Sequence, residues 1–184
     1  FVPTARVDVS AESGASPGGH ARGVAIGDLH NDGLLDIVFA NHNGQPNVVL
    51  LNDGTGKFVD VSAESGANHG GNAHGVAIGD LNNDGSLDMV VANDHGRPNV
   101  VLMNRHVRTE GADWLMVRAL DAAGHPTLHG ASVRLLVGGA VIALRVVNGG
   151  SGYCSQGAYD VHFGLDSIGA SRRCVAHMPV SPCA

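Results

Sequence analysis

The chain repeats itself, and this restricts its fold more than any other feature of the sequence. Asp8-Val-Ser-Ala-Glu-Ser-Gly-Ala15 recurs letter for letter at 60–67, Gly23–Leu29 at 75–81, and Pro46–Leu50 at 98–102. The period is 52 residues, and aligning 8–52 with 60–104 leaves 12 mismatches in 45 positions. Chance does not produce such identity, so both units must take one architecture.

Within each unit short apolar runs alternate with turn chemistry. In the first, Gly23–Gly27, Asp36–Ala40, Asn47–Asn52 and Lys57–Val61 read as strands. Asn-Asp-Gly, Asn-Gly-Gln-Pro and Asp-Gly-Thr-Gly separate them. No segment holds a helical apolar period over a useful length. Aromatics make up 4% of the chain against 27 glycines, which suits small strands and tight turns. Four strands in a unit of about 40–50 residues is the layout of a propeller blade. The expected fold class is therefore all-β. Two blade-like repeats occupy 1–104, with blades at about 23–61 and 75–104 and an N-terminal strand at 6–9. A linker follows at 105–111, then a small β domain over 112–184. In that domain Trp114–Leu120, Ala131–Val137, Ala140–Val147 and Ala158–Gly164 are the strand candidates, with a hairpin at Gly138-Gly139.

The sharpest chemical signal sits in two matching loops, Asp28-Leu-His-Asn-Asp-Gly-Leu-Leu-Asp36 and Asp80-Leu-Asn-Asn-Asp-Gly-Ser-Leu-Asp88. Carboxylates stand at positions 1, 5 and 9, and Gly at position 6 permits a sharp turn. Calcium takes six to eight oxygen ligands at about 2.3–2.6 Å, and three carboxylates this close repel unless a cation lies among them. The expected ligands are Asp28, Asp32, the Leu34 carbonyl and Asp36 in the first loop. Asp80, Asn82, Asp84, the Ser86 carbonyl and Asp88 are those of the second. Position 3 separates the two loops: Asn82 offers oxygen, whereas His30 offers a nitrogen that calcium does not favour. The second site is thus expected to be the better one. The loops also explain the charge. Net charge is −6, from 11 basic and 17 acidic residues. Six carboxylates lie in the loops, and without them acids and bases balance.

These residues carry a resemblance. Gly-Asp-Leu-(His/Asn)-Asn-Asp-Gly-x-x-Asp, followed by an apolar strand and Asn, resembles the FG-GAP or VCBS repeat of integrin alpha-chain propellers, over about 1–104. The resemblance implies blades with a calcium ion in the loop between the first two strands. Trp114-Leu-x-Val-Arg118, Gly130-Ala-Ser-Val-Arg134, Gly149-Gly-Ser-Gly-Tyr-Cys-Ser-Gln156 and His162-Phe-Gly-Leu165 resemble the ASPIC/UnbV domain. That family's Trp-Pro-Ser-Gly ending is replaced here by Met178-Pro-Val-Ser181. This second resemblance implies a fold more than a chemistry.

Other signals narrow the function. No stretch is basic enough for a nucleic-acid footprint. The ten residues between Arg134 and Arg145 include two glycines and are too short to span a membrane. Ser151 and Cys154 lie in a Gly-rich turn, but Tyr153 stands where a nucleophile elbow needs Gly. The eleven histidines, among them His42, His69, His74 and His95, fit no His-x-Glu frame and read as scattered loop residues. A first residue of Phe rather than Met implies upstream sequence. Cys154, Cys174 and Cys183 fall late, with a single lysine in the chain. Together these suggest an extracellular protein with one disulfide and one spare thiol. No enzyme is expected.

The expected function is a non-catalytic extracellular calcium-binding structural protein. The alternative is an adhesion module of a longer propeller that binds carbohydrate or an extracellular protein. Strand counting adds self-assembly to the first reading. Two blades do not close a propeller of about four to eight. Arg6-Val-Asp-Val9 matches the fourth strand of blade one, and blade two lacks a fourth strand. Donating the first to a neighbour's second would build a homo-oligomer or head-to-tail fibre.

Overall fold

The computed structural model describes residues 7–105, 113–126, 130–148, 155 and 157–165, and the backbone of 174–177. Strands β1 (Ala21–Gly27), β2 (Asp36–Asn41), β3 (Val48–Asn52) and β4 (Phe58–Asp60) form one antiparallel sheet in that order. The second repeat gives β5 (Ala73–Gly79), β6 (Asp88–Asn93) and β7 (Val100–Leu102), again in chain order. The registers coincide. Gly27 faces Asp36 as Gly79 faces Asp88, and each hairpin is bulged at its far end, at Ala21/Gly23 and Ala73/Gly75.

Beyond the repeats, β8 (Trp114–Val117) pairs with β11 (Val161–Gly164). β9 (Ser132–Val137) lies between β10 (Ala140–Val146) and β12 (Cys174–His177). Gly138 and Gly139 have φ of 59° and 86°, which closes the expected β9–β10 hairpin. No helix occurs among the described residues, so the chain is all-β.

Several expectations need correction. Val7–Val9 is not a strand: the Val9 carbonyl accepts the Ser13 N–H in a turn. Its counterpart β4 pairs with β3 of its own blade, whereas 7–9 joins no sheet among the described residues. Arg6 lies outside the described residues. β8 stops at Val117 rather than Leu120, and β11 starts at Val161 rather than Ala158. Arg118 and Asp160 join side chains there, the Arg118 Nε donating to Asp160 Oδ1 at 2.7 Å. β12 has no counterpart in the expected strands. The linker at 106–111, Ser151, Cys154, Cys183, the Cys174 side chain and Met178–Ser181 lie outside the described residues.

Two cores hold the molecule. One is shared by both repeats: Val38, Ala40 and Val49 from the first pack with Val76, Leu87, Met89 and Val91 from the second. The first strands of the two blades meet where aligned glycines face each other. A Cβ on Gly23 would lie 3.0 Å from the Gly75 Cα, so the close approach needs glycine. The other core gathers Ala119, Val133, Leu135, Val147, Val161 and Phe163.

Candidate metal-binding loops

The two acidic loops join β1 to β2 and β5 to β6, and they fold alike. Residues at positions 4 and 6 turn left-handed: Asn31 and Gly33 at φ 63° and 91°, Asn83 and Gly85 at 59° and 82°. Asn and Gly are the residues that tolerate this region. The turn points backbone N–H groups at the carboxylates. Gly33 and Gly85 N–H donate to Asp28 and Asp80 Oδ2 at 3.0 and 2.8 Å. Leu34 and Ser86 N–H donate to Asp32 and Asp84 Oδ1, each at 2.8 Å.

Position 9 acts as a brace. Asp36 Oδ2 accepts the Leu29 N–H at 2.7 Å and its Oδ1 accepts the Asn52 N–H at 2.9 Å. Asp88 does the same with Leu81 and Asn104, both at 2.8 Å. Both carboxylates are buried. They tie the loops to Asn52 in β3 and to Asn104 just past β7, and a cation there would use the remaining lone pairs.

The first loop has one oxygen shaped for a cation and one side chain that competes with it. Asp28 is 1% exposed; its Oδ1 is buried without a hydrogen-bond partner. Burial pushes its carboxyl up, against the pull of the Gly164 N–H. That orphaned oxygen fits a bound cation. His30, however, lies between two of the acids. Its Nδ1 is 3.0 Å from Asp36 Oδ2 and its Nε2 is 2.9 Å from Asp32 Oδ2. The Asp36 hydrogen bond raises the imidazole to about 9, so at neutral pH an imidazolium neutralises part of this loop. Asp28, His30 and Asp36 bring ligand atoms within 4.8 Å of one another.

The second loop offers oxygen alone, the donor type that calcium takes. Asn82 Oδ1 and Asp80 Oδ1 each accept the Asp84 N–H at 3.1 Å, and Asn82 Nδ2 donates to Asp84 Oδ2 at 2.8 Å. Asn82 and Asp84 are exposed, while Ser86 is buried. Among the described residues, Asp80, Asp84 and Asp88 do not converge as tightly as the first loop's group.

The C-terminal unit sits on both loops, which the sequence does not reveal. The Gly164 N–H in β11 donates to Asp28 Oδ2 at 2.8 Å. His162 Nε2 lies 2.9 Å from the Gly85 carbonyl, and Arg145 Nη2 donates to the Gly33 carbonyl at 2.8 Å. A Cβ on Gly85 would overlap the Trp114 indole. Asn31 Nδ2 donates to the Gly85 carbonyl at 3.2 Å and links the two loops directly. A cleft of about 710 Å³ lies between this unit and the blades, lined in part by Asp28, Asp80, Trp114, Arg145 and His162. Ser155 crosses back to the second blade, its Oγ accepting the Val76 N–H at 3.1 Å.

The reading of the histidines as scattered is corrected at the other end of the blades. His42, His74 and His95 gather around Asp94. Sequence frames miss them because they come from different repeats.

Comparison with known proteins agrees with both resemblances. A family model described as FG-GAP-like repeat matches residues 28–91, and one described as ASPIC and UnbV matches 122–173. Cartilage acidic protein 1 of Mus musculus is 38% identical over 111 residues, which is 58% of this chain and 17% of that protein. The Homo sapiens protein of the same name is also 38% identical over 111 residues, covering 16% of its length. That of Xenopus tropicalis is 39% identical over 93 residues, covering 48% of this chain and 14% of its own. The chain thus spans about a sixth of the length of the curated relatives it matches.

Proposed function

Because this chain joins FG-GAP-like repeats to an ASPIC and UnbV domain, we propose that it is a non-catalytic structural module of the extracellular space. Calcium in its two loops braces the blades against the C-terminal unit. Relatives named for cartilage are in keeping with that setting. The first ion is held by Asp28, Asp32, the Leu34 carbonyl and Asp36. The second is held by Asp80, Asn82, Asp84, the Ser86 carbonyl and Asp88. The observation that carries this reading is Asp28: one oxygen anchors the Gly164 N–H of the docked unit while the other is buried without a partner. A cation on that oxygen ties loop and docked unit together.

Calcium binds the native loop and not the unfolded chain, so it stabilises by linkage. At 100 times Kd one site contributes about 2.7 kcal/mol. A chain of this length shifts its melting temperature by about 2–4 °C per kcal/mol. Removing calcium with EDTA should therefore lower Tm by about 5–11 °C per occupied site. An unchanged Tm refutes the reading.

A second observation favours assembly. β7 ends its sheet without a fourth strand among the described residues, and Val101 on it is 57% exposed. Val7 is 73% exposed and outside any strand. Residues 6–9 of a neighbouring copy fit that edge by strand addition, which gives a head-to-tail fibre. Deleting residues 1–10 should abolish polymer in calcium while circular dichroism keeps its β signal. A full-length protein that stays monomeric at high concentration in calcium refutes assembly. The edge is then left to an extracellular protein or glycan partner.

A further inference from the structure

We propose that His42, Asp94 and His95, with His74 as fourth ligand, form a zinc site at the junction of the two blades. It is separate from the acidic loops. Those loops close the Gly27/Asp36 end of the β1–β2 hairpin and the matching end of β5–β6, while this cluster lies beyond the Ala21/Asn41 and Ala73/Asn93 ends.

The repeat itself points to the place. Among the 12 mismatched pairs are Arg22 with His74, His42 with Asp94, and Asn43 with His95. The fold draws five of these six residues together. Asp94 is the hub. Its Oδ2 is 2.5 Å from His74 Nε2, and its Oδ1 is 2.5 Å from His95 Nδ1 and 3.7 Å from His42 Nε2. The His42 ring lies edge-on to those of His74 and His95, with centroids 5.1 and 5.9 Å away. The ligand atoms of His42, Asp94 and His95 fall within 4.8 Å of one another.

Two observations ask for a cation. His42 is 8% exposed, and its Nε2 is buried in the cluster with no hydrogen-bond partner. A buried ring nitrogen without a partner has lost its water for nothing. His74 Nε2 faces contradictory demands. Arg22 Nη1, 2.9 Å away, can only donate to it, while the Asp94 oxygen on its other side can only accept from it. A metal ion that takes the ring lone pairs and the carboxylate removes both problems. Arg22 is exposed, so water can replace His74 as its partner when the ion binds.

The donor set and spacing suit zinc. Imidazole nitrogen with carboxylate oxygen is a common zinc set, at about 2.0–2.2 Å. A tetrahedron of that size holds its ligand atoms about 3.3 Å apart, near the 3.7 Å between His42 Nε2 and Asp94 Oδ1. The two 2.5 Å contacts join His74 and His95 directly to Asp94, and both must lengthen for an ion to enter between them. The scaffold fixes the ligands through the backbone. The His42 N–H donates to the His20 carbonyl and the Asp94 N–H to that of Asn72, each at 3.0 Å. His95 sits at φ 52°, on the left-handed turn position that Asn43 holds in the first repeat.

The test is calorimetric titration of zinc chloride into the full chain with calcium saturating, followed by cobalt(II) as a spectroscopic probe of coordination. One zinc per chain is expected, with the strong visible band of tetrahedral cobalt. His95→Asn restores the residue of the aligned turn at an exposed position, and so preserves the fold. It should weaken zinc by at least about 10-fold, as should Asp94→Asn. Both variants should bind calcium as the parent does. No zinc uptake by the parent in calcium overturns the proposal. So does equal zinc affinity in the parent and both variants.

Discussion

Replacing Gly164 with alanine tests whether the C-terminal unit is seated on the first acidic loop. A Cβ on Gly164 would fall among the backbone atoms of Asn31, overlapping its Cα, carbonyl carbon and carbonyl oxygen. A peptide unit does not swing aside as a side-chain tip does, so β11 or the loop must retreat. Retreat breaks the buried bond from the Gly164 N–H to Asp28 Oδ2, now 2.8 Å. A hydrogen bond to a charged group contributes about 1.5–3 kcal/mol. Forcing a methyl into packed backbone costs about 1–3 kcal/mol more. The expected loss is about 2.5–6 kcal/mol, or about 5–24 °C in Tm at 2–4 °C per kcal/mol. Scanning calorimetry of Gly164→Ala beside Gly79→Ala measures it. A Cβ on Gly79 would meet only the Ala158 Cβ, at 3.8 Å. That is ordinary contact, so the control should melt within about 2 °C of the parent. A Gly164→Ala protein that melts with the control would refute the seating of β11 on the loop.

Three further outcomes are expected. His30→Asn removes the imidazolium between Asp32 and Asp36 and installs the residue found at 82. Calcium affinity of the first loop should rise about 10-fold or more toward that of the second, as two-site calorimetry would record, and an unchanged first site would contradict the competition argued above. Phe163→Ala empties the largest fully buried side chain of the second core, 1% exposed with the Arg145 guanidinium 5.3 Å over its ring; denaturant unfolding should show a loss of about 3–5 kcal/mol. His162→Gln should flatten the acid side of the stability curve. Burial lowers the His162 imidazole from its ordinary 6.5, and its Nδ1 is buried without a partner. Below pH 6.5 the unfolded chain therefore takes up a proton that the native chain refuses. Stability falls as pH drops through 6.5, and the fall ends only below the lowered native value. Glutamine keeps an N–H for the Gly85 carbonyl and carries no such proton, so equal slopes in the two proteins would sink the assignment.

What the sequence makes legible follows from where its signals lie. The blades are readable because each strand is bracketed by Asx-Gly turns and the pattern occurs twice. β1 to β3 consequently fall within two residues of their expected bounds, and β5 to β7 repeat them 52 residues on to within two residues. The acidic loops are readable for the same reason: spacing within one turn is a local property. β12 is not readable. Four residues, Cys174–His177, are too few to establish a period, and their partner β9 lies far away in the chain. The docking of β11 on Asp28 is a contact between residues 136 positions apart, and neither end carries a local mark of it. His30 shows the limit most clearly. Its nitrogen can be judged a poor calcium ligand from composition alone, but that it spans two carboxylates is a fact of three dimensions.

The histidine cluster fails for a different reason, one that has a remedy. Metal frames such as His-x-x-x-His look for ligands along one helix or one turn, whereas here His42 comes from the first repeat, and His74, Asp94 and His95 from the second. When a unit packs against its own copy, aligned positions come close together, as Gly23 and Gly75 do. At most positions identity is harmless there, because apolar packs on apolar and glycine on glycine. At a polar junction identity is a problem: two aspartates at 42 and 94 would repel, and two histidines would leave the hub without a carboxylate. Complementarity between copies requires the copies to differ, so the junction must be built from mismatched residues. Arg22/His74, His42/Asp94 and Asn43/His95 are such pairs, and the cluster draws on all three. Aligning a repeat with itself and asking where it disagrees therefore narrows the search to 12 pairs, three of which meet at the junction. The strongest check is to abolish the disagreement. His42→Asp makes the first repeat match the second at that position, and places two carboxylates where Asp94 now accepts from its neighbours. That variant should lose zinc binding and melt below the parent in calcium, while Ile37→Met, an equally restorative exchange at a half-buried strand position, should cost less than about 1.5 kcal/mol. Equal melting of the two would mean that the mismatched pairs at this junction carry no complementarity.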